Sequence, residues 1–229
     1  MKRLLNYFTR FEIGLWLSSV IVIVATFLIF KDKDYLTLCA SIIGATFLIL
    51  NAKGNPLGQF LTIVFSILYG FISYRFSYYG EMITYLFMSL PMAVIALISW
   101  LRNPYKGNKS QVKVNRITKK EIAFMCVLTL VVTIVFGFIL KYFNTANLIP
   151  SILSITTTFI AVYLTFRRSP YFALAYAMND LVLIVLWLLA SITDVSYLSV
   201  VICFIVFFVN DMYGFISWKK MEKFQSLNK

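Results

Sequence analysis

Apolar residues run along this chain in eight stretches, near positions 13–30, 35–50, 57–74, 81–101, 122–141, 148–166, 171–190 and 195–218, each bounded by charged or turn-forming residues. The pattern predicts eight membrane-crossing helices. Several stretches fall short of the roughly 20 residues that a bilayer core asks of a helix, so their number is firmer than their ends. Pro56 and Pro170 stand at the start of the third and seventh stretches. A proline there is tolerated because its missing N–H would be unpaired in the first turn anyway.

Composition agrees with lipid as the solvent. Hydrophobic residues make up 61% of the chain and the mean hydropathy is +0.85, too apolar for 229 residues to hide in water. The net charge of +12 raises the question of nucleic acid, and the placement of the charges answers it. With the N-terminus inside, all 21 Lys and Arg residues fall on the cytoplasmic side except Lys31, Lys33, Arg75 and Lys141. The basic balance is therefore a topology signal for an even number of spans, with both termini cytoplasmic, and no nucleic-acid partner is expected. Met1-Lys2-Arg3 begins as a secretory signal does, but the first apolar run ends in Lys31-Asp32-Lys33-Asp34 rather than small residues, so an uncleaved span is expected. Cys39, Cys126 and Cys203 lie singly in three runs and read as small apolar packing residues, with no disulfide framework and no metal-ligand spacing.

A marker set occurs twice. Lys53-Gly54-Asn55-Pro56 is followed by Ile98-Ser99-Trp100, and Arg167-Arg168-Ser169-Pro170 by Ile216-Ser217-Trp218, in the same order and with a similar gap. Tryptophan beside basic residues is also ordinary interface anchoring. Taken together, the markers predict two parallel three-helix repeats. The predicted organisation is an N-terminal helix in 1–34, a first repeat in 35–101, a cytoplasmic loop and linker helix in 102–147, a second repeat in 148–218 and a basic cytoplasmic tail in 219–229.

Polar groups inside hydrocarbon are costly and usually face the bundle interior or a wet cavity. Asn179 and Asp180 fall near the middle of the seventh span, and Asn210 and Asp211 within the eighth. Asn179 and Asn210 suit a neutral, hydroxyl-rich ligand, because one amide both donates and accepts. Asp180 or Asp211 could face a cationic ring or serve a structural pairing. Trp187, on the same span as Asn179 and Asp180, is a candidate ring-stacking wall, with Trp100 and Tyr85 as further aromatic candidates among 22 Phe, 14 Tyr and 4 Trp. Trp100 and Trp218 also fit membrane-surface anchors. Gln59, just inside the third span, is either a pathway residue or satisfies a helix end, and Glu81 suits a helix N-terminus. The chain has no histidine, no Gly-rich nucleotide loop and no metal cluster. Neither ATP-driven pumping nor an enzyme is expected, and no cofactor.

Tyr79-Gly80-Glu81, Pro91-Met92, Trp100, Asn179-Asp180 with Trp187, and the string Val209-Asn210-Asp211-Met212-Tyr213-Gly214-Phe215-Ile216-Ser217-Trp218 together resemble the PnuC family of vitamin transporters, over nearly the whole chain. The resemblance implies an all-α integral membrane protein of eight transmembrane helices, a SWEET-like 3+1+3 parallel repeat with an additional N-terminal helix, in the cell membrane. It implies uptake of nicotinamide riboside by facilitated diffusion, a cytoplasmic kinase that traps the vitamin, and a homo-oligomer. Leu97 stands where many members carry the first Trp of a Trp-x-x-Trp pair, and Ala93 where Gln or Asn is common. Thiamine and riboflavin therefore stay open beside nicotinamide riboside. A sugar carrier of the SWEET type and a membrane scaffold remain the other classes.

Overall fold

The computed structural model describes residues 7–30, 34–75, 79–145, 147–192 and 194–228. Of the charges that set the expected topology, Lys2, Arg3, Lys31, Lys33 and Lys229 lie outside these residues. The described chain holds eight helices long and apolar enough to cross a membrane: α1 Arg10–Ile29, α2 Tyr35–Ala52, α3 Pro56–Arg75, α4 Tyr79–Leu101, α5 Lys119–Tyr142, α6 Leu148–Phe166, α7 Phe172–Ser191 and α8 Leu198–Leu227. Residues 219–227, expected as a basic tail, continue α8 as helix. Between α4 and α5 a small hairpin pairs β1 (Pro104–Tyr105) with β2 (Asn108–Val112).

Local chemistry sets the helix ends. Thr9 caps α1 and Glu12 reaches back to the Thr9 N–H at 2.6 Å, which satisfies two donors that the first turn leaves open. Thr118 caps α5 in the same way, accepting from the Glu121 N–H. Asp34 caps α2, and Arg75 at the end of α3 pairs with it at 3.3 Å. Within α4, Pro91 has no N–H to give, and the turn before it widens into a π-helical segment, Tyr85–Ser89, in which the Leu90 N–H reaches back to the Tyr85 carbonyl.

Two turns on the face that bears Tyr7 and Asn228 are built alike. After α2 the chain turns through Gly54 at φ +66°, and the Asn55 N–H donates to the Leu50 carbonyl at 3.0 Å. After α6 it turns through Arg168 at φ +55°, and the Ser169 N–H donates to the Leu164 carbonyl at 3.0 Å. The left-handed backbone suits glycine and strains arginine, but Arg168 is held by its Nη1 on Ser99 Oγ (2.6 Å) and its Nε on the Lys113 carbonyl. Its half-buried guanidinium sits below its ordinary pKa, first because burial strips its water and then because Arg167 is beside it.

Trp100 and Trp218 lock these turns crosswise. The Trp100 indole N–H donates to the Thr165 carbonyl at the end of α6, and the Trp218 indole N–H to the Asn51 carbonyl at the end of α2. Their neighbours repeat the exchange, Ser99 Oγ donating to the Phe166 carbonyl and Ser217 Oγ to the Ala52 carbonyl. Both tryptophans are fully buried with ring centroids 5.4 Å apart. Surface anchoring is therefore corrected: these rings fill the centre of the bundle end, because each N–H finds a helix-terminal carbonyl there.

Each turn is also gripped from outside. Lys53 pairs with buried Glu12 of α1 at 3.0 Å, while Tyr213 donates to the same carboxylate at 2.9 Å. Arg167 pairs with Glu121 of α5. The end of β2 and the segment after it strap both turns, the Val112 N–H donating to the Gly54 carbonyl and the Asn115 N–H to the Arg168 carbonyl. Gln225 of α8 clamps the strap through Val112 and Val114. Of the cysteines, only Cys203 is buried; Cys39 and Cys126 lie on the outer surface, where lipid makes no demand for packing.

Candidate functional site

Two cavities lie inside the helix bundle, one beyond the other. The first, of about 60 Å³, is lined by α2, α3, α4, α6, α7 and α8. Its polar side gathers Thr158, Tyr176, Asn179, Asp180 and Asp211, and its opposite side Thr62, Ser66, Tyr85 and Ser89. The π-helical segment of α4 has a direct role here, since its first and last residues, Tyr85 and Ser89, both reach this wall. Phenylalanines 47, 65, 172, 204 and 207 complete the lining.

The amide of Asn179 is oriented by α6. Its Oδ1 accepts from Thr157 Oγ1 at 2.8 Å, Thr158 Oγ1 at 3.0 Å and Ser154 Oγ at 3.4 Å. An oxygen so occupied fixes the amide plane and leaves its NH₂ as the group to be offered elsewhere. Asp180 and Asp211 adjoin each other across α7 and α8, both buried and within reach of a carboxyl–carboxyl hydrogen bond, and Asp180 Oδ2 meets no other donor among the described residues. Two buried carboxyl groups that share only each other are costly, and an incoming donor or cation would offset that cost.

The second cavity, of about 120 Å³, lies toward the opposite face and is lined by Thr37, Ser41, Tyr69, Ser73, Trp187 and Tyr197 among others. The Trp187 and Tyr197 rings sit 5.5 Å apart at its wall. Phe65, Phe204 and Phe207 line both cavities and so form the wall between them.

The structure thus divides the residues that the sequence put forward. Asn179, Asp180 and Tyr85 share the smaller cavity, and Trp187 belongs to the larger. Asn210, Gln59 and Trp100 line neither. Asn210 turns away because its Nδ2 donates to Ser19 Oγ of α1 and to the Val206 carbonyl. Gln59 gives its Nε2 to Asn51 Oδ1 at 2.9 Å and joins α2 to α3. Trp100 is committed to Thr165. Glu81 lies in the first turn of α4, as expected, and is buried.

Comparison with known proteins identifies the architecture. Residues 34–220 match the family model described as nicotinamide mononucleotide transporter. The chain belongs to this family. It is a multi-pass membrane transporter, and its relatives are named as transporters rather than enzymes. Among them, the nicotinamide riboside transporter PnuC of Neisseria mucosa is 24% identical, covering 97% of this chain and 86% of the relative. The PnuC of Haemophilus influenzae is likewise 24% identical, over 93% and 91%. A crystal structure described as the vitamin B3 transporter PnuC superposes with a TM-score of 0.82 at 21% identity, over 94% of this chain and 93% of that one.

Thr158, Tyr176, Ser89 and the phenylalanines of the cavity escaped the sequence reading. Most carried no signal, since a phenylalanine that lines a pathway looks the same in sequence as one that faces lipid. Thr158 did carry one: Thr157 and Thr158 follow Ser154 by three and four residues, one helical turn, and make a hydroxyl patch within an apolar run.

Proposed function

We propose that this transporter takes up nicotinamide riboside across the cell membrane by facilitated diffusion, and that a cytoplasmic kinase then traps the vitamin as its phosphate. The observation that carries this reading is the smaller cavity: an oriented Asn179 amide and the adjoining Asp180 and Asp211 carboxyl groups face aromatic rings inside the bundle. A hydroxyl-bearing ribose needs the first, a cationic ring gains from the second, and the aromatic faces suit a flat heterocycle. The names of the relatives support the same substrate.

The reading includes a SWEET-like 3+1+3 arrangement of parallel repeats, α2–α4 and α6–α8. The crosswise bonds of Ser99-Trp100 and Ser217-Trp218 support it, since each repeat's third helix closes on the other's first. The reading also puts both termini in the cytoplasm, because Lys53, Arg102, Lys113, Arg167, Arg168 and Lys219 belong to the basic, cytoplasmic side of the chain.

The test is uptake of labelled nicotinamide riboside by proteoliposomes. Entry should saturate, should be indifferent to proton or sodium gradients, and should accumulate only when a riboside kinase and ATP are enclosed. Gradient-driven accumulation without kinase would overturn the mechanism. Entry of thiamine or riboflavin alone would move the substrate to a second reading, which the departure from the family pattern at Ala93 and Leu97 leaves open. Competition by simple sugars would point to a sugar carrier, and the absence of any saturable flux to a scaffold.

A further inference from the structure

The two cavities are separated by a few aromatic rings, and one of them is seated differently from the rest. Phe65, Phe204 and Phe207 form the wall, with Phe204 and Phe207 centroids 5.8 Å apart and Phe65 and Phe207 6.1 Å apart. Phe207 of α8 presses its ring tip against the bare backbone of Gly44, midway along α2. A Cβ added at Gly44 would overlap Phe207 Cζ and lie 3.0 Å from its Cε1. Glycine inside a helix costs about 1 kcal/mol relative to alanine, so its place in the middle of an apolar span needs a packing reason. The seat for Phe207 is that reason. Phe207, like Phe65 and Phe204, borders both cavities, of about 60 Å³ and 120 Å³, and its seat on Gly44 is what sets it apart from them.

We propose that Phe207 is the moving ring of an aromatic partition between the two cavities, that Gly44 is the seat that holds it aside, and that the opening they leave sets which flat ring systems pass. In this structure the ring occupies the seat. When it leaves the seat it enters the passage and narrows it, so the Gly44 notch governs how far the pathway can open. This inference rests on the proposed uptake route, because it takes the two cavities as successive chambers of one path.

The experiment is solute flux in proteoliposomes for wild type, Gly44→Ala, Phe207→Ala and the double variant, using whichever labelled vitamin the wild type carries. Gly44→Ala should lower flux about tenfold, although alanine is the better helix former. Adding Phe207→Ala to it should return flux to within about threefold of wild type, because the added methyl then has no ring to displace. Phe207→Ala alone should raise entry of a bulkier flat ring, such as a flavin, relative to the native vitamin. Wild-type flux in Gly44→Ala, or equal loss in Gly44→Ala and the double variant, would overturn the partition. Absence of wild-type flux for every vitamin would instead overturn the proposed function, so the two failures are distinguishable.

Discussion

The two halves of the chain match where they hold the frame and differ where they face the cavity. Lys53 and Arg167 end equivalent helices, Gly54 and Arg168 share a left-handed turn, and Ser99-Trp100 and Ser217-Trp218 close on each other's half with the same atoms. Counted from those markers, the cavity residues part company. Phe65-Ser66 stands as far after Lys53 as Asn179-Asp180 does after Arg167. Ala93 stands as far before Trp100 as Asp211 before Trp218, and Gly44 as far before Lys53 as Thr158 before Arg167. The first half thus supplies rings and small residues at the places where the second supplies an amide, two carboxyl groups and a hydroxyl. A matched frame encloses an unmatched cavity: the second half lines it with Asn179, Asp180 and Asp211, and the first with Asn51, the hydroxyls of Thr62, Ser66, Tyr85 and Ser89, and phenylalanine rings.

Substitutions at equivalent positions can break that contrast. The largest effect is expected at Asp180: Asp180→Ala should reduce vitamin flux about a hundredfold, while Ser66→Ala at the matching place should change it by less than about threefold. Equal losses would mean that the two walls contribute alike. Asn179→Ala should raise the half-saturating vitamin concentration about tenfold, by removing a group that α6 has oriented, with membrane insertion intact. The frame should respond in the opposite manner, with matched effects. Trp100→Phe and Trp218→Phe each remove an indole hydrogen bond from a helix-end carbonyl that keeps its turn N–H, Arg168 on Thr165 and Gly54 on Asn51, and should each cost about 1 kcal/mol, read as similar drops in thermal stability in detergent. A large difference between them would break the equivalence of the two closures. The salt links sharpen the comparison further, since Glu12 is 3% exposed and also accepts from Tyr213, whereas Glu121 is 17% exposed. Glu12→Gln should therefore lower stability more than Glu121→Gln. Asn210→Ala should have the smallest effect on flux, since its amide holds Ser19 and not the cavity.

Much of the frame was legible in the residues. The eight apolar runs lie within a few residues of the helices, apart from the continuation of α8, because length and hydropathy alone decide what a bilayer will accept. The sequence also repeats the start of two helices. Thr9-Arg10-Phe11-Glu12-Ile13 and Thr118-Lys119-Lys120-Glu121-Ile122 share their threonine, first basic residue, acid and isoleucine, and each acid grips the basic residue that ends the following helix. The helix read as an extra one and the helix read as a linker therefore stand in the same relation to their halves. The site was less legible. Asn179, Asp180 and Tyr85 fell together as polar or amphipathic groups in costly surroundings, but Asn210 shares that signature and points elsewhere. Hydrophobicity registers the cost of burying an amide and not the direction in which it is repaid.

The sequence by itself determined the number of spans, the candidate orientation given by its basic residues, and the doubled markers, all of which follow from local composition and helical length. Tertiary structure decided which neighbours each marker serves. Trp100 and Trp218 became buried crosswise locks, because an indole N–H in an apolar setting needs an acceptor, and a helix-end carbonyl has a second lone pair to give it. It also decided that Gly44 meets Phe207, residues on α2 and α8 that no periodicity connects, since contact between distant helices depends on how the whole bundle packs.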